Sequence, residues 1–310
     1  LISSAILLLS NYIYGSVVVR NSEKLNDKNL NFTIKIISPK IDINRFYELS
    51  NSEKILKELI KISKPDSMEK TIFIFPEGVL TNIYLEEIDL YKKLFEDNFS
   101  ENHKIILGIN SKEDNKIYNS MVVLNNKTEV LKKYKKNKLV PFGEFLPFEN
   151  FFSNIGIKKI TQGYQSFSAD NKREVLNINN INFLPLICYE IIYSGKLNTN
   201  KQDFTFILNI SEDGWFGKSI GPDQHFSHSI FRAIEEGKNL IRSGNNGISA
   251  YINSNGRSIN RIESTSKGVI EIKSFKETKK TVFSRYGNNI FLYFLLFYIS
   301  LFFFLKKKGV

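Results

Sequence analysis

The chain is 310 residues long, 42% hydrophobic and 24% charged, which excludes a disordered chain, a collagen-like repeat and a pure membrane bundle. Lysine and arginine outnumber the acids 43 to 32, a formal charge of +11, which points to nucleic acid, an anionic membrane surface or an acidic substrate as partner. One cysteine excludes an intramolecular disulfide, and with only three histidines a cysteine-rich zinc site is excluded too.

In chain order, the sequence opens on Leu1 rather than methionine, as expected of a fragment whose beginning is missing. Residues 1–19 are apolar to weakly polar and lack the basic start of a signal peptide, which fits the end of a truncated transmembrane segment and its linker. Short apolar runs then alternate with helical patterns. Phe32 to Ile37, Thr71 to Phe75, Lys104 to Ile109, Met121 to Leu124, Ile181 to Ile187 and Phe204 to Ile210 read as strands, several apolar on both faces. Helix signals run from Asn51 to Ile62 and again after Pro222, where Phe226, Ile230, Ala233 and Ile234 keep one face until Gly237. Asn246-Gly247 and Asn255-Gly256 mark turns in a strand-rich stretch. The fold class is α/β, with two layers of sheet between helices.

Ile290 to Leu305 is sixteen residues without a charge, followed by Lys306, Lys307 and Lys308. At 1.5 Å per residue it covers ~24 Å of a ~30 Å hydrocarbon core, so flanking residues and lysine snorkelling complete a transmembrane helix over residues 288–305. The lysines assign the 306–310 tail to the cytoplasm, and hence the middle of the chain to the opposite side, the periplasm of a bacterium.

Three chemistry-bearing residues sit at or beyond predicted strands, where open α/β sheets gather their ligands. Glu77, in Phe75-Pro76-Glu77-Gly78, is a carboxylate that burial can turn into a useful base. Lys136 lies in a lysine run that reads as a solvated face, but an apolar loop with one acid, Leu139 to Phe148, follows it. Cys188 ends the run Ile181 to Ile187; a working thiolate needs a cation and a base nearby, and Lys136 and Glu77 are the right types. Taken singly, each has a plain reading as loop acid, surface lysine or core cysteine.

Tyr134-x-Lys136-x-x-Leu139, Cys188-Tyr189-Glu190 and Phe75-Pro76-Glu77, in the order Glu, Lys, Cys, resemble the nitrilase superfamily. Leu139-Val140-Pro141-Phe142-Gly143-Glu144-Phe145-Leu146-Pro147, Asn209 to Gly217, Gly221-Pro222-Asp223-Gln224-His225 and Arg242 to Ser249 narrow the resemblance to the apolipoprotein N-acyltransferase family. It runs from about Phe32 to the last span. The resemblance implies a nitrilase-like αββα sandwich over residues 30–284, held in the periplasm of the inner membrane, with further spans before residue 1. It implies Glu77 as general base, Lys136 as oxyanion partner and Cys188 as nucleophile. Glu144, Tyr189 and Glu190 would support the site. The implied reaction moves an acyl chain from a phospholipid, through a cysteine thioester, to the amino group of a diacylglyceryl-cysteine apolipoprotein, without metal or cofactor. Phe145, Leu146, Trp215 and Phe216 are the expected lipid mouth. Departures from the family pattern are Gly78 for a hydroxyl residue, Glu212 for an asparagine, and Phe46-Tyr47 where a tryptophan is expected.

Competing readings are weaker. A nitrilase-type amidase would use the same three residues on a small amide. A cysteine protease pairing Cys188 with His225 or His228 would open a helix with its nucleophile, whereas this cysteine closes a strand. Gly217-Lys218-Ser219-Ile220-Gly221 matches a serine-hydrolase elbow, but no histidine follows His228. His225-x-x-His228 lacks a third ligand for a metal. No nucleic-acid-binding motif appears and the basic residues are dispersed, so attraction to a membrane surface explains the charge more simply.

Overall fold

A strand covered on both faces needs continuous apolar residues, and a strand at an edge does not. The computed structural model, which describes residues 2–24, 26–47, 51–148, 166–198 and 202–307, sorts the chain's strands in this way into two sheets. The first sheet contains β1 (Asp27–Ser38), β2 (Thr71–Ile74), β3 (Leu80–Tyr84), β4 (His103–Glu113), β5 (Lys116–Leu124), β6 (Val130–Lys135) and β13 (Gly268–Lys276). Its order is β13-β1-β2-β4-β5-β6, with β3 pairing β4 beyond the end of β2. The second contains β7 (Leu176–Ile178), β8 (Ile181–Ile187), β9 (Phe206–Glu212), β10 (Asn239–Asn245), β11 (Ser249–Ile252) and β12 (Ser258–Ile262), in the order β12-β11-β10-β9-β8-β7. Strands β1, β2 and β4 are parallel, as are β8, β9 and β10, and antiparallel hairpins extend both sheets outward.

Among the described residues the helices are α1 (Ile2–Glu23), α2 (Ser52–Ser63), α3 (Lys92–Asn98), α4 (Gly221–Glu236), α5 (Val282–Tyr286) and α6 (Asn289–Lys307). Side chains alternate across each strand, so the apolar runs supply three separate cores. Ile34, Ile72, Ile106 and Met121 meet Ile187, Leu208 and Ile241 between the sheets. Phe73, Phe75 and Leu107 pack outward against Leu56 and Leu59 of α2 and Phe95 of α3. Leu186, Ile207 and Leu240 pack outward against Phe226 and Ala233 of α4. Helix, sheet, sheet, helix is the αββα sandwich.

The caps are local chemistry. The Asn51 side chain accepts from Lys54 N at 3.0 Å and opens α2. Gly237, at φ +62°, closes α4, with Pro222 in its first turn. The lysine run predicted as a solvated face overlaps the edge strand β6; Lys132 is exposed, but Lys133 and Lys135 are half-buried and pair with Glu113, and Lys136 is buried.

Among the described residues, α6 is the one helix long and apolar enough to cross a membrane, and every residue from Phe291 to Lys307 is exposed. The N-terminal apolar stretch lies within α1, which continues to Glu23 and is exposed where its side chains are described. Leu1, residues 149–165 of the predicted catalytic domain and the tail from Lys308 lie outside the described residues.

Candidate active site

Glu77, Lys136 and Cys188 each follow a strand, and the sandwich brings the three ends together at the seam between the sheets. Phe75 N donates to Ile106 O at 2.8 Å and Gly108 N to Pro76 O at 3.2 Å, which fixes the turn after β2. Gly108 is required there, because a Cβ on it would stand 2.6 Å from the Glu77 Cα. Lys136 N donates to Asn119 O at 2.8 Å as β6 ends. Cys188 opens a 3-10 turn, Cys188–Ile192, with φ at +49°, a strained conformation for a side-chain-bearing residue.

Glu77 is 7% exposed and Lys136 1%. The Lys136 Nζ lies 3.5 Å from Glu77 Oε1 and 2.9 Å from Glu144 Oε1. Asn119 Nδ2 bridges the two carboxylates, donating to Glu77 Oε1 at 2.7 Å and Glu144 Oε1 at 2.9 Å. The other oxygen of Glu77 accepts from Glu212 N at 2.9 Å, and that of Glu144 from Val140 N at 2.9 Å. Burial alone would lower the pKa of Lys136, but Glu144, Glu77 and Cys188 together raise it above the ordinary lysine value, so the ammonium is permanent. Burial pushes the Cys188 thiol well above its usual range, the Glu77 carboxylate adds to this, and Lys136 and Ser211 oppose it. The thiol is therefore protonated at neutral pH.

Glu190 is fully buried and holds the segment before Cys188. It accepts from Tyr134 Oη at 2.7 Å, Arg173 Nη2 at 2.7 Å, Ile187 N at 2.8 Å, Asn137 N at 2.9 Å and Lys138 N at 3.1 Å. It thus ties the strand carrying the cysteine to the turn carrying the lysine. Tyr189 is half-buried, its ring 5.6 Å from that of Tyr193.

Beneath the cysteine, His225 Nε2 lies 3.2 Å from Cys188 O, while its Nδ1 lies 2.9 Å from Asp213 Oδ1. The histidine meets the backbone carbonyl rather than the thiol, which disfavours the protease pairing. Arg242 Nη2 donates to Asp213 Oδ2 at 2.7 Å and its Nη1 to Asn209 Oδ1. Burial acts against the Asp213 carboxylate, but Arg242 and His225 outweigh it and hold its pKa well below the usual range. Among the described residues no cluster of three metal-ligating side chains occurs.

Of the predicted mouth, Trp215 and Phe216 are exposed, Phe145 is half-buried and Leu146 is buried. The Trp215 ring lies 4.7 Å from Phe46 and 6.3 Å from Tyr47, and Phe216 lies 5.6 Å from His225. Sequence reading missed Asn119, Arg173, His225 and Arg242 as parts of the site, and Arg45 beside it. Asn119 and Arg242 carried a usable signal, since each is a polar residue inside an otherwise buried strand.

The family described as carbon-nitrogen hydrolase matches residues 70–273. The chain is 32% identical, over 89% of its length, to an apolipoprotein N-acyltransferase of Wigglesworthia glossinidia brevipalpis, and covers 56% of that protein. It is 34% identical, over 64% of its length, to the protein of that name from Rhizobium rhizogenes, and covers 39% of it. The chain thus spans about half the length of the curated relatives it matches. Among solved structures, it resembles the amidase of Nesterenkonia sp. AN1 with a TM-score of 0.55 at 11% identity, covering 78% of this chain and 92% of the amidase. It also resembles a glutamine-dependent NAD+ synthetase of Acinetobacter baumannii with a TM-score of 0.53 at 18% identity, covering 77% and 45% of the two chains. These two likenesses are of fold.

Proposed function

We propose, for a chain that belongs to the carbon-nitrogen hydrolase family, that it is the catalytic part of an apolipoprotein N-acyltransferase working through Glu77, Lys136 and Cys188. The observation that carries the reading is the convergence of a buried carboxylate, a buried ammonium and a buried thiol at one seam, in a chain whose relatives bear that name. Because the thiol is protonated at rest, attack requires a base at the moment of reaction, and the Glu77 carboxylate accepts that proton. The sulfur attacks the ester carbonyl of a phospholipid acyl chain. Lys136, with the Tyr189 backbone N–H, holds the oxyanion. Lysophospholipid leaves with the proton returned from Glu77, and a thioester remains. The α-amino group of a diacylglyceryl-cysteine apolipoprotein attacks the thioester, Glu77 takes the amine proton, and amide and thiol are released.

Glu144 orients Lys136, and Glu190 sets the turn that presents Cys188. No metal or organic cofactor enters these steps. Trp215 and Phe216, with Phe145 at the edge and Leu146 below the surface, form the apolar mouth through which the acyl chain reaches the sulfur. The catalytic domain spans residues 30–284 on the periplasmic side of the inner membrane, α6 crosses the bilayer, residues 306–310 are cytoplasmic, and residues 1–19 end a preceding span. The exposed apolar surface of α6 and its terminal lysines support this topology.

The deciding experiment incubates membranes containing the full-length protein with a chain-labelled phospholipid and searches for the label on Cys188 by mass spectrometry. A thioester on Cys188, discharged by a diacylglyceryl peptide, is the expected result. Turnover of small amides with no lipid-derived thioester would replace the acyltransferase by an amidase.

A further inference from the structure

The turn that carries Glu77 is fastened to the second sheet by a buried ion pair outside the three reacting side chains. Arg45, 5% exposed, lies in the 3-10 turn Ile43–Phe46. Its Nε donates to Gly78 O at 2.9 Å, its Nη1 to Asp42 O at 2.9 Å, and its Nη2 to the Glu212 carboxylate. Glu212 is fully buried and also accepts from Asn245 Nδ2 and Gly214 N, each at 2.7 Å. Its own backbone N–H is the donor at 2.9 Å to Glu77 Oε2. One guanidinium thus grips both the residue after Glu77 and the side chain of the residue whose amide holds Glu77. The same guanidinium lies 4.5 Å from the Phe46 ring, which packs on Trp215.

A buried ion pair is seldom worth its desolvation as a source of stability, since apolar replacements are often neutral or better. What this one supplies is position. We propose that Arg45 and Glu212 form a positioning pair that fixes the Glu77 carboxylate toward Cys188 across the seam between the sheets, their side chains bonding to each other, to Asn245 and to the backbone rather than to the side chains of Glu77, Lys136 or Cys188. The proposal rests on Glu77 being the base. Without Arg45, the buried Glu212 carboxylate keeps Asn245 Nδ2 and Gly214 N but loses its counter-ion, and the shift of its peptide takes the N–H from Glu77 Oε2. A carboxylate that loses such a donor is easier to protonate.

The test follows acylation of Cys188 by p-nitrophenyl butyrate in the full-length protein in detergent, as a function of pH. In the wild type the rate falls on the acid side as the base is protonated, and in Glu77→Gln the rate collapses and this acid limb disappears. Arg45→Gln is expected to lower the plateau about tenfold and to move the acid limb to higher pH. Arg45→Gln/Glu212→Gln, which removes the stranded charge, returns the limb to its wild-type position and recovers most of the rate. Arg45→Lys, which keeps the charge but cannot reach both acceptors, lies between. An Arg45→Gln or Arg45→Lys protein that melts lower but keeps the wild-type limb makes the pair merely structural and overturns the proposal. A wild-type limb in Glu77→Gln overturns the base assignment, and the positioning pair falls with it.

Discussion

Burial and the Glu77 carboxylate raise the Cys188 thiol above its usual range, so on the proposed mechanism it needs a base to take its proton. On that mechanism the three side chains act as one unit. Cys188→Ala is expected to abolish acyl-enzyme formation, and Glu77→Gln and Lys136→Met to lower its rate by about a hundredfold or more each. The double variant Glu77→Gln/Lys136→Met should fall little further, because residues acting as a unit are not additive. Single-turnover acylation measures all four, and independent, additive losses would contradict the assignment. Glu77 and Cys188 stood out in the sequence because each follows an apolar run whose end could be seen, whereas Lys136, inside a lysine run, stood out only through the loop that follows it and the family resemblance. Arg173 did not, because its partner Glu190 lies 17 positions along the chain, and His225 was weighed only as a protease partner of the thiol, whereas across 37 positions it meets the Cys188 carbonyl. Glu212 was noted only as a departure from pattern; its meaning needed Arg45, which comes 167 residues earlier.

Elements with a burial signature could be read, and elements without one could not. Strand β8 is found as expected, Ile181–Ile187, and α2 starts one residue after its cap at Asn51. Strand β6 was hidden because an edge strand keeps its lysines, β3 because the exposed Asn82 interrupts its apolar residues, and β7 because it has only three residues. Asn51→Ala should remove about 1 kcal/mol of stability, seen as a lower melting temperature with acylation unchanged at 25 °C. Gly108→Ala, in contrast, should spare the melting transition more than the activity, because the added Cβ strikes the Glu77 backbone. The end of α4 carries a pH dependence of its own. Glu236 is buried beside Glu235, and its pKa is pushed up to about 7 from 4.5, with Arg232 and Lys238 opposing. A carboxyl raised in the folded state binds its proton more tightly than in the unfolded chain, so this stabilisation is complete below pH 4.5 and fades as pH rises through 7. Glu236→Gln should therefore raise the melting temperature at pH 8 much more than at pH 5. Equal changes at both values would mean that Glu236 is ordinarily ionised.

At the scale of the whole molecule, the sandwich and the apolar helix α6 make opposite demands on solvent. All the large side chains from Phe291 to Leu305 are exposed, an arrangement suited to lipid rather than water. A reporter active only in the periplasm should be silent when fused after the last residue and active when inserted near Glu113, and the reverse pattern would sink the proposed topology. The join between the two parts is short. Only Gly287 and Asn288 separate α5 from α6, and the Asn288 side chain donates at 3.0 Å to Ser194 O, six residues past the cysteine. On the proposed topology such a mooring gives the sulfur a set altitude above the bilayer, since the domain has no slack on which to ride up or down. Donors must then climb to it, and the choice among acyl chains becomes a question of reach as well as of pocket shape. Inserting one helical turn after Asn288, which lifts the domain by about 5.4 Å, should slow transfer from short-chain phospholipids more than from long ones. Equal slowing for all chain lengths would show that altitude selects nothing.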